Sequence, residues 1–527
     1  MLRIPELKFG FNDAENYRMK ENKDLFNSIF LRTEALDKLC KSNYFFLIGE
    51  KGTGKTAYAV YLANNSYQNN LGTIKYIRET EYEKFLKLKK ERHLALSDYT
   101  NIWKVIIYLL FAQQITQKGK KFNIKKFSHF NNLKKAIDEY YANAFSPEII
   151  YAIQFAEDSK VAAELIAHYA KVGGEKTSGI TFTENRFQTN LLFIEKNFER
   201  ALNSLKLSNN YILFIDGIDI RPTFVPYNDY LECIKGLANA VWSINTDFFS
   251  SISDSQGRMR VVLLIRPDIF QSLELQNQNN KIRDNSVLLD WRTTYPIYRQ
   301  SAIFKMADTL LKSQQKTNLK LGEAWDYYFP YDSPNVISPQ KFPSSFINFM
   351  RHSYYRPRDI VTMLNVLQEN FVELGSDNDR VFSEKDFNDP YFKRKIADYL
   401  LGEVKDHLSF YYSSEDYELF LKFFEYLNGA FRFTYNEYLA AYSEFEEYLH
   451  ENSKNKPPYF ETPDKFLQFL YDLNIICYIE DTYDESFMRW CFRERDYSNI
   501  SPKVKTKSRY EIHYGIQKAL NVGKRIF

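Results

Sequence analysis

The chain has 527 residues, with hydrophobic residues at 44% and charged residues at 26%. That balance is ordinary for a folded globular protein and excludes a disordered, collagenous or coiled-coil chain. The 70 Lys and Arg against 67 Asp and Glu leave a net charge of +3, so no global field directs the chain to nucleic acid or anionic lipid. At this length about three to four domains are expected, with cores large enough to need no disulfides. Cys40, Cys233, Cys477 and Cys491 lie far apart and form no CxxC pair, which fits a reducing compartment and disfavours a zinc site. The longest apolar run, near Val105–Ala112, is far short of the roughly 18 residues of a membrane-spanning helix. The opening MLRIPELKFGFNDAENYRMK has no signal-peptide pattern, so a cytoplasmic protein without a membrane partner is expected.

Residues 1–40 read as a helical lead-in with one amphipathic helix, Leu25, Ile29, Leu36 and Leu39 falling near helical spacing. Tyr44–Ile48 is an apolar run of strand length, followed by a glycine-rich turn and the helical pattern TAYAVYLANN. Thr73–Ile77 reads as a second strand, giving a β-α-β start to a parallel sheet. Residues 79–208 are mostly helical in pattern, including Trp103–Ile115, a basic stretch at Lys118–Lys126 and Glu148–Tyr169, with VGGEKTSG at 172–179 as a loop. A single crossover needs far fewer residues, so a helical insertion is expected at about 80–200. Strands follow at Tyr211–Ile215, Val261–Ile265 and Val287–Leu289, with a long helix at Tyr227–Phe249. Residues 296–400 read as helices without strands. The C-terminal part shows three helical segments within 415–474 and strands at Ile476–Ile479 and Tyr510–His513.

The turn after the first strand is Gly49-Glu50-Lys51-Gly52-Thr53-Gly54-Lys55-Thr56, a full match to GxxxxGK followed by Ser or Thr. Glycines let the backbone curl so that successive N–H groups converge on phosphate oxygens, and the helix that follows presents its positive end. Gly49 to Thr56, with Ala57 after them, form the expected nucleotide cradle. Lys55 is expected at the β- and γ-phosphates and Thr56 on Mg2+. The stretch YILFIDGID places Asp216 at the end of a buried strand, where a carboxylate can hold Mg2+ through water. Asp219, three residues on, is a candidate to orient the attacking water or a turn-capping residue. ATP and Mg2+ are the expected ligands.

Thr73–Ile77 falls between the two motifs in sequence and is expected between their strands in the sheet. That arrangement resembles the additional-strand class of P-loop proteins, which includes AAA+, STAND and RecA-like ATPases. No NKxD segment follows, which disfavours a GTPase, and no LSGGQ segment is present, which disfavours an ABC ATPase. Arg266, after the strand Val261–Ile265, resembles the arginine of STAND proteins and is on that basis a candidate γ-phosphate sensor, the alternative being an arginine on a loop surface. The segment Tyr355-Arg356-Pro357-Arg358-Asp359 resembles the sensor 2 region of Orc/Cdc6-like ATPases, which implies that Arg358, in preference to Arg356, reaches the nucleotide. The alternative for both is an ion pair with Asp359 or Asp379.

Taken together, KFGFNDAE, GEKGTGKTA, FIDGID, LLIRPDIF, DNSVLLDW, YYRPRDI and YEIHYGIQKAL, spread over nearly the whole chain, resemble the bacterial FunZ-type P-loop ATPases, related to STAND and Orc/Cdc6-like proteins. The resemblance implies an α/β P-loop core with a parallel sheet at 41–295, a helical lid at 296–405 and a winged-helix-like domain at 406–527. The chain departs from AAA+ proteins in having Gly217 directly after Asp216 where they carry Glu, which puts fast hydrolysis in doubt. Arg283 and Arg292 are the only suggestions for an arginine finger.

In the C-terminal part, the third helix carries Asp464, Lys465 and Asp472 and is not basic, and the helix before it is acidic with Glu437, Glu444, Glu446 and Glu447. A basic strip runs through Lys503, Lys505, Lys507 and Arg509, and Lys524 and Arg525 lie near the end. The seven histidines show no metal spacing, and His513 reads as a packed core residue. The expected function is an ATP-binding, slowly hydrolysing conformational switch in a DNA-related or defence process. A homo-oligomer, and a DNA or protein partner through the C-terminal domain, stay open. A nucleotide-binding scaffold with little hydrolysis is the alternative. A small-molecule kinase is disfavoured because it gives the insertion and C-terminal domain no role.

Overall fold

A computed structural model of the chain describes residues 1–77, 96–118, 192, 195–196, 198–222, 225–333, 344–375, 380–452, 454–482, 486–496 and 499–523. The chain divides into two compact units. One, the core unit, comprises Glu34–Ile48 and Lys55–Val287; the other comprises Met1–Thr33, Gly49–Gly54 and Leu288–Phe527. Among the described residues, no helix is long and apolar enough to cross a membrane.

The sheet of the core unit is built from the apolar runs. Its strands are β1 (Phe46–Ile48), β2 (Asn70–Tyr76), β3 (Asn210–Asp216), β4 (Met259–Ile265) and β5 (Ser286–Leu288). All five run parallel, in the order β2-β3-β4-β1-β5. Every residue of β4 is buried, as expected of a strand covered on both faces. The register sets Ile48 level with Ile265 and Ile215 level with Leu263.

This order corrects one expectation. A strand does separate β1 from β3, but it is β4, and β2 lies beyond β3 at the edge of the sheet. The physical reason is burial. β4 is apolar at six of its seven positions and fits between neighbours, whereas β2 (NLGTIKY) alternates buried and half-buried residues and suits an edge.

Helices cover the sheet. Lys55–Asn64 follows β1 in sequence, and Leu96–Lys118 lies on the sheet, where the Gln114 amide donates to the Leu71 and Ile212 carbonyls at 3.0 and 3.2 Å. That helix also packs on Tyr227–Ser243, with the Trp103 indole N–H donating to the Cys233 carbonyl at 3.1 Å. The expected continuous helix to Phe249 widens into a π-helical turn at Ile244–Phe248, from which the buried Asn245 side chain brackets β4. Its side chain donates to Val261 O at 2.9 Å and accepts from Val261 N–H at 3.0 Å. Of the expected helical insertion, Leu96–Lys118 and the residues near 198–203 are described. The basic stretch beyond Lys118, Glu148–Tyr169 and the loop at 172–179 lie outside the described residues.

The single lead-in helix is instead two, Lys23–Ile29 and Glu34–Leu39, because Phe30 takes an extended conformation (φ −70°, ψ 118°) that ends the first.

In the second unit the N-terminal segment is laced onto helices. Leu2 N–H donates to the Gln315 side chain at 2.8 Å, and the Gln368 amide donates to Ile4 O and Leu7 O at 2.6 and 2.8 Å. Trp325, Phe329, Phe346 and Phe349 form an aromatic core between the helices Glu323–Tyr328 and Phe346–Arg351. The helices Pro357–Leu374 and Pro390–Tyr411 follow. No strand occurs among the described residues of 296–400.

The C-terminal part holds the three expected helices, Ser414–Phe423, Tyr435–Glu451 and Pro463–Asp472. Its sheet has four antiparallel strands rather than two: β6 (Arg432–Thr434), β7 (Ile476–Asp481), β8 (Ser486–Arg489) and β9 (Arg509–Ile512), in the order β6-β9-β7-β8. The two unexpected strands are the edges. They are short and mostly exposed, so they carry no apolar run to announce them. Phe423, Phe445, Phe460 and Phe466 pack ring against ring among the helices, which assigns these aromatics to the core.

Candidate functional site

The core unit brings together residues from two separated motifs. Lys55 and Thr56 open the helix after β1, Asp216 ends β3, and Asp219 lies in the turn beyond. The Thr56 hydroxyl donates to Asp216 Oδ2 at 2.6 Å, and Gly217 N–H donates to Asp216 Oδ1 at 2.8 Å. Burial drives the Asp216 carboxyl pKa upward, with Asp219 adding to the shift and the Thr56 hydroxyl and Lys55 opposing it. Lys55 Nζ stands 3.4 Å from Asp219 Oδ2, and its side chain is buried. Asp219 Oδ1 is buried without a hydrogen-bond partner among the described residues. Asp219 is therefore the counter-ion of Lys55 as well as a neighbour of Asp216.

Gly217, directly after Asp216, sits where only a glycine fits. Its φ is +87°, and a Cβ placed there would lie 2.6 Å from the Ile77 carbonyl oxygen. An L-residue at this position meets both a left-handed backbone and a backbone clash. The turn after Asp216 has no room for a Glu.

Arg266 directly follows β4, the strand between β1 and β3, and is the N-cap residue of the helix Pro267–Ser272. It is buried, and its guanidinium grips Asp268 with Nε to Oδ1 at 3.0 Å and Nη2 to Oδ2 at 2.5 Å. A bidentate pair of this kind holds the planar group in one orientation.

The second unit contains Gly49–Gly54. Three consecutive carbonyls of this loop are held by donors from distant segments of the same unit. Arg356 Nη1 donates to Lys51 O at 3.0 Å, Arg358 N–H to Gly52 O at 3.3 Å, and the Trp291 indole N–H to Thr53 O at 2.9 Å. Side chains add to the grip. Lys51 pairs with Glu403 at 3.5 Å and with Asp406, and Glu50 pairs with Arg495.

The two arginines of the YYRPRD segment differ. Tyr355, buried and at φ 55°, turns the chain so that the helix Pro357–Leu374 starts behind it. Arg356 is buried and locked. It meets Asp359 through Nε and Nη2, the latter at 2.7 Å, and Glu403 at 3.2 Å. Asp359 also accepts from Tyr354 N–H and the Tyr399 hydroxyl, both at 2.8 Å. Arg358 is more exposed, donating from Nε to Asn12 O at 3.1 Å and standing 3.5 Å from Glu403. The ion pair with Asp359 thus belongs to Arg356. Asp379 lies outside the described residues.

Arg283 pairs with the adjacent Asp284, and Arg292 with Asp290 and the Arg493 carbonyl. In the basic strip Lys505 stands 4.0 Å from Glu480, and Arg509 pairs with Asp481 at 2.6 Å. Lys524 and Arg525 lie outside the described residues. His513 is buried, its Nε2 3.2 Å from Ser353 O and its Nδ1 accepting from Gly515 N–H.

Sequence reasoning missed Trp291 and the part played by Arg356. Trp291 lies 238 residues from the carbonyl it holds. Its only signal was an aromatic next to a strand, a pattern shared by many core residues. Comparison with models of protein families finds no match, and comparison with curated proteins finds none either.

Proposed function

We propose that this chain binds ATP with Mg2+ and works as a slowly hydrolysing conformational switch of the STAND and AAA+ kind. The observation that carries the reading is the bond from the Thr56 hydroxyl to the Asp216 carboxylate, at 2.6 Å across 160 residues. A hydroxyl at the start of a helix and a carboxylate at the end of a neighbouring strand are the two oxygen donors that Mg2+ takes in P-loop proteins. The donor set fits a small hard cation. Asp216 is buried with its pKa raised by lost hydration, and a cation beside it restores the charged form.

Lys55 supplies positive charge to phosphate, with Asp219 as the partner it would exchange. Asp219 has a second task in this proposal, orienting the attacking water. Arg266, at the end of β4, and Arg358, on the helix after the YYRP turn, would read the γ-phosphate. ADP lacks that group, so only ATP would drive closure, because a ligand shifts a conformational equilibrium only through differential contacts with the two states. The process regulated would be DNA-related or defensive, with a DNA or protein partner, or a second copy, engaged through a winged-helix-like C-terminal domain.

Gly217 favours a second reading, a nucleotide-binding scaffold with little hydrolysis, since the usual Glu has no place there. Single-turnover hydrolysis of bound ATP separates the two. A slow but Mg2+-dependent first turnover supports the switch. Intact ATP after hours supports the scaffold.

A further inference from the structure

The three held carbonyls of the glycine-rich loop have a consequence for the loop's N–H groups. In a planar trans peptide the C=O of one residue and the N–H of the next point in opposite directions. Arg356 holds the Lys51 carbonyl, so the Gly52 N–H points away from Arg356. Trp291 holds the Thr53 carbonyl, so the Gly54 N–H points away from Trp291. The intervening Thr53 N–H closes the turn on Glu50 O at 3.3 Å. Gly52 and Gly54 both have positive φ, +85° and +96°. Their N–H groups meet no acceptor among the described residues. Backbone N–H groups left without an acceptor in a positive-φ loop are the kind of donors that anion-binding nests use.

We infer that Trp291 and Arg356 are positioning residues, which pin the outward carbonyls of the loop and thereby aim the Gly52 and Gly54 amides at phosphate. The inference rests on the nucleotide-binding reading and adds two side chains to it that touch no nucleotide. Both are built for the task. Trp291 is buried with its indole N–H on Thr53 O, and the Arg356 guanidinium is held by Asp359 through Nε and Nη2 and by Glu403 through Nη1, the nitrogen that also reaches Lys51 O. A clamp on the loop backbone acts on the β-phosphate that ADP and ATP share. Its loss therefore weakens both nucleotides equally, unlike the loss of a γ-phosphate sensor.

The test uses the full-length protein with Trp291→Phe, which keeps the ring and removes the donor, and Arg356→Lys, which keeps a charge but not the planar fork. Trp242→Phe is the control, since Trp242 lies in the core unit. Calorimetric titration with ADP and with a non-hydrolysable ATP analogue gives affinities. Order parameters of the backbone amides in glycine-labelled protein report Gly52 and Gly54 without nucleotide. Trp291→Phe is expected to weaken both nucleotides roughly fivefold, the effect of one buried hydrogen bond, and to lower the order parameters of Gly52 and Gly54 alone. Loop order and affinities matching those of Trp242→Phe would overturn the clamp. Should Arg356→Lys fail to fold, Trp291→Phe decides. Loss of loop order in a protein that binds neither nucleotide would keep the backbone clamp, remove its phosphate role and refute the nucleotide reading.

Discussion

The Thr56 hydroxyl donates to the Asp216 carboxylate at 2.6 Å, tying the helix after β1 to the end of β3. If this pair holds Mg2+, Asp216→Asn removes the charge and Thr56→Val removes the hydroxyl while keeping the shape. Both variants are expected to keep their fold and to lose the Mg2+ dependence of ATP binding. Titrations with and without Mg2+ check this, and full Mg2+ dependence in both variants would take these residues out of the metal site.

Gly217 supplies a prediction about the turn after Asp216. Gly217→Glu is expected to destabilise the protein by about 1–3 kcal/mol from backbone strain alone, with the contact to Ile77 O adding to it. Thermal melting together with a hydrolysis assay reads both effects. A stable variant with faster hydrolysis would mean that the turn readily re-forms around a side chain.

His513 makes the second unit sensitive to acid. Burial lowers its imidazole pKa to about 3, with Arg493 and Arg356 acting in the same direction and the Ser353 carbonyl opposing them. The unfolded chain takes up this proton near pH 6.5, as an ordinary histidine does. Between about 6.5 and about 3 the unfolded state therefore binds more protons, and stability falls as pH falls through that window. His513→Gln is expected to flatten the fall. Denaturant titrations at several pH values measure it, and identical slopes in wild type and variant would show that His513 does not carry the effect.

The C-terminal core depends on Phe466, which is fully buried and packs against Phe423 at 4.7 Å and Phe460 at 4.8 Å. Phe466→Ala is expected to cost about 3–5 kcal/mol through lost burial and the cavity left behind. The unfolding midpoint in denaturant reads this directly, and a loss below about 1 kcal/mol would show that the cluster collapses around the gap.

The motifs were legible because each sits on an apolar run. YFFLI, YILFI and VVLLI announce β1, β3 and β4, and the residues that follow them make up the candidate site. Sheet order was not legible in the same way. Sequence order set β2 between the motif strands, whereas space sets β4 there, because parallel strands are ordered by burial and crossovers rather than by succession. The edge strands β6 and β8 lacked apolar signals for the same reason that they are edges. Of the YYRPRD segment, the sequence showed two arginines one residue apart but not which would be buried. Arg356 takes Asp359, Glu403 and Lys51 O, a choice made by residues up to 305 positions away.

The central claim is that the loop running into Lys55 binds nucleotide. Titration calorimetry of ATP with Mg2+ into wild type and Lys55→Ala tests it most directly, with circular dichroism to show that both are folded. Saturable binding by the wild type and its loss in Lys55→Ala, with the same fold in both, is the predicted result. Equal ATP affinity in the two proteins, or no binding by folded wild type, would contradict it.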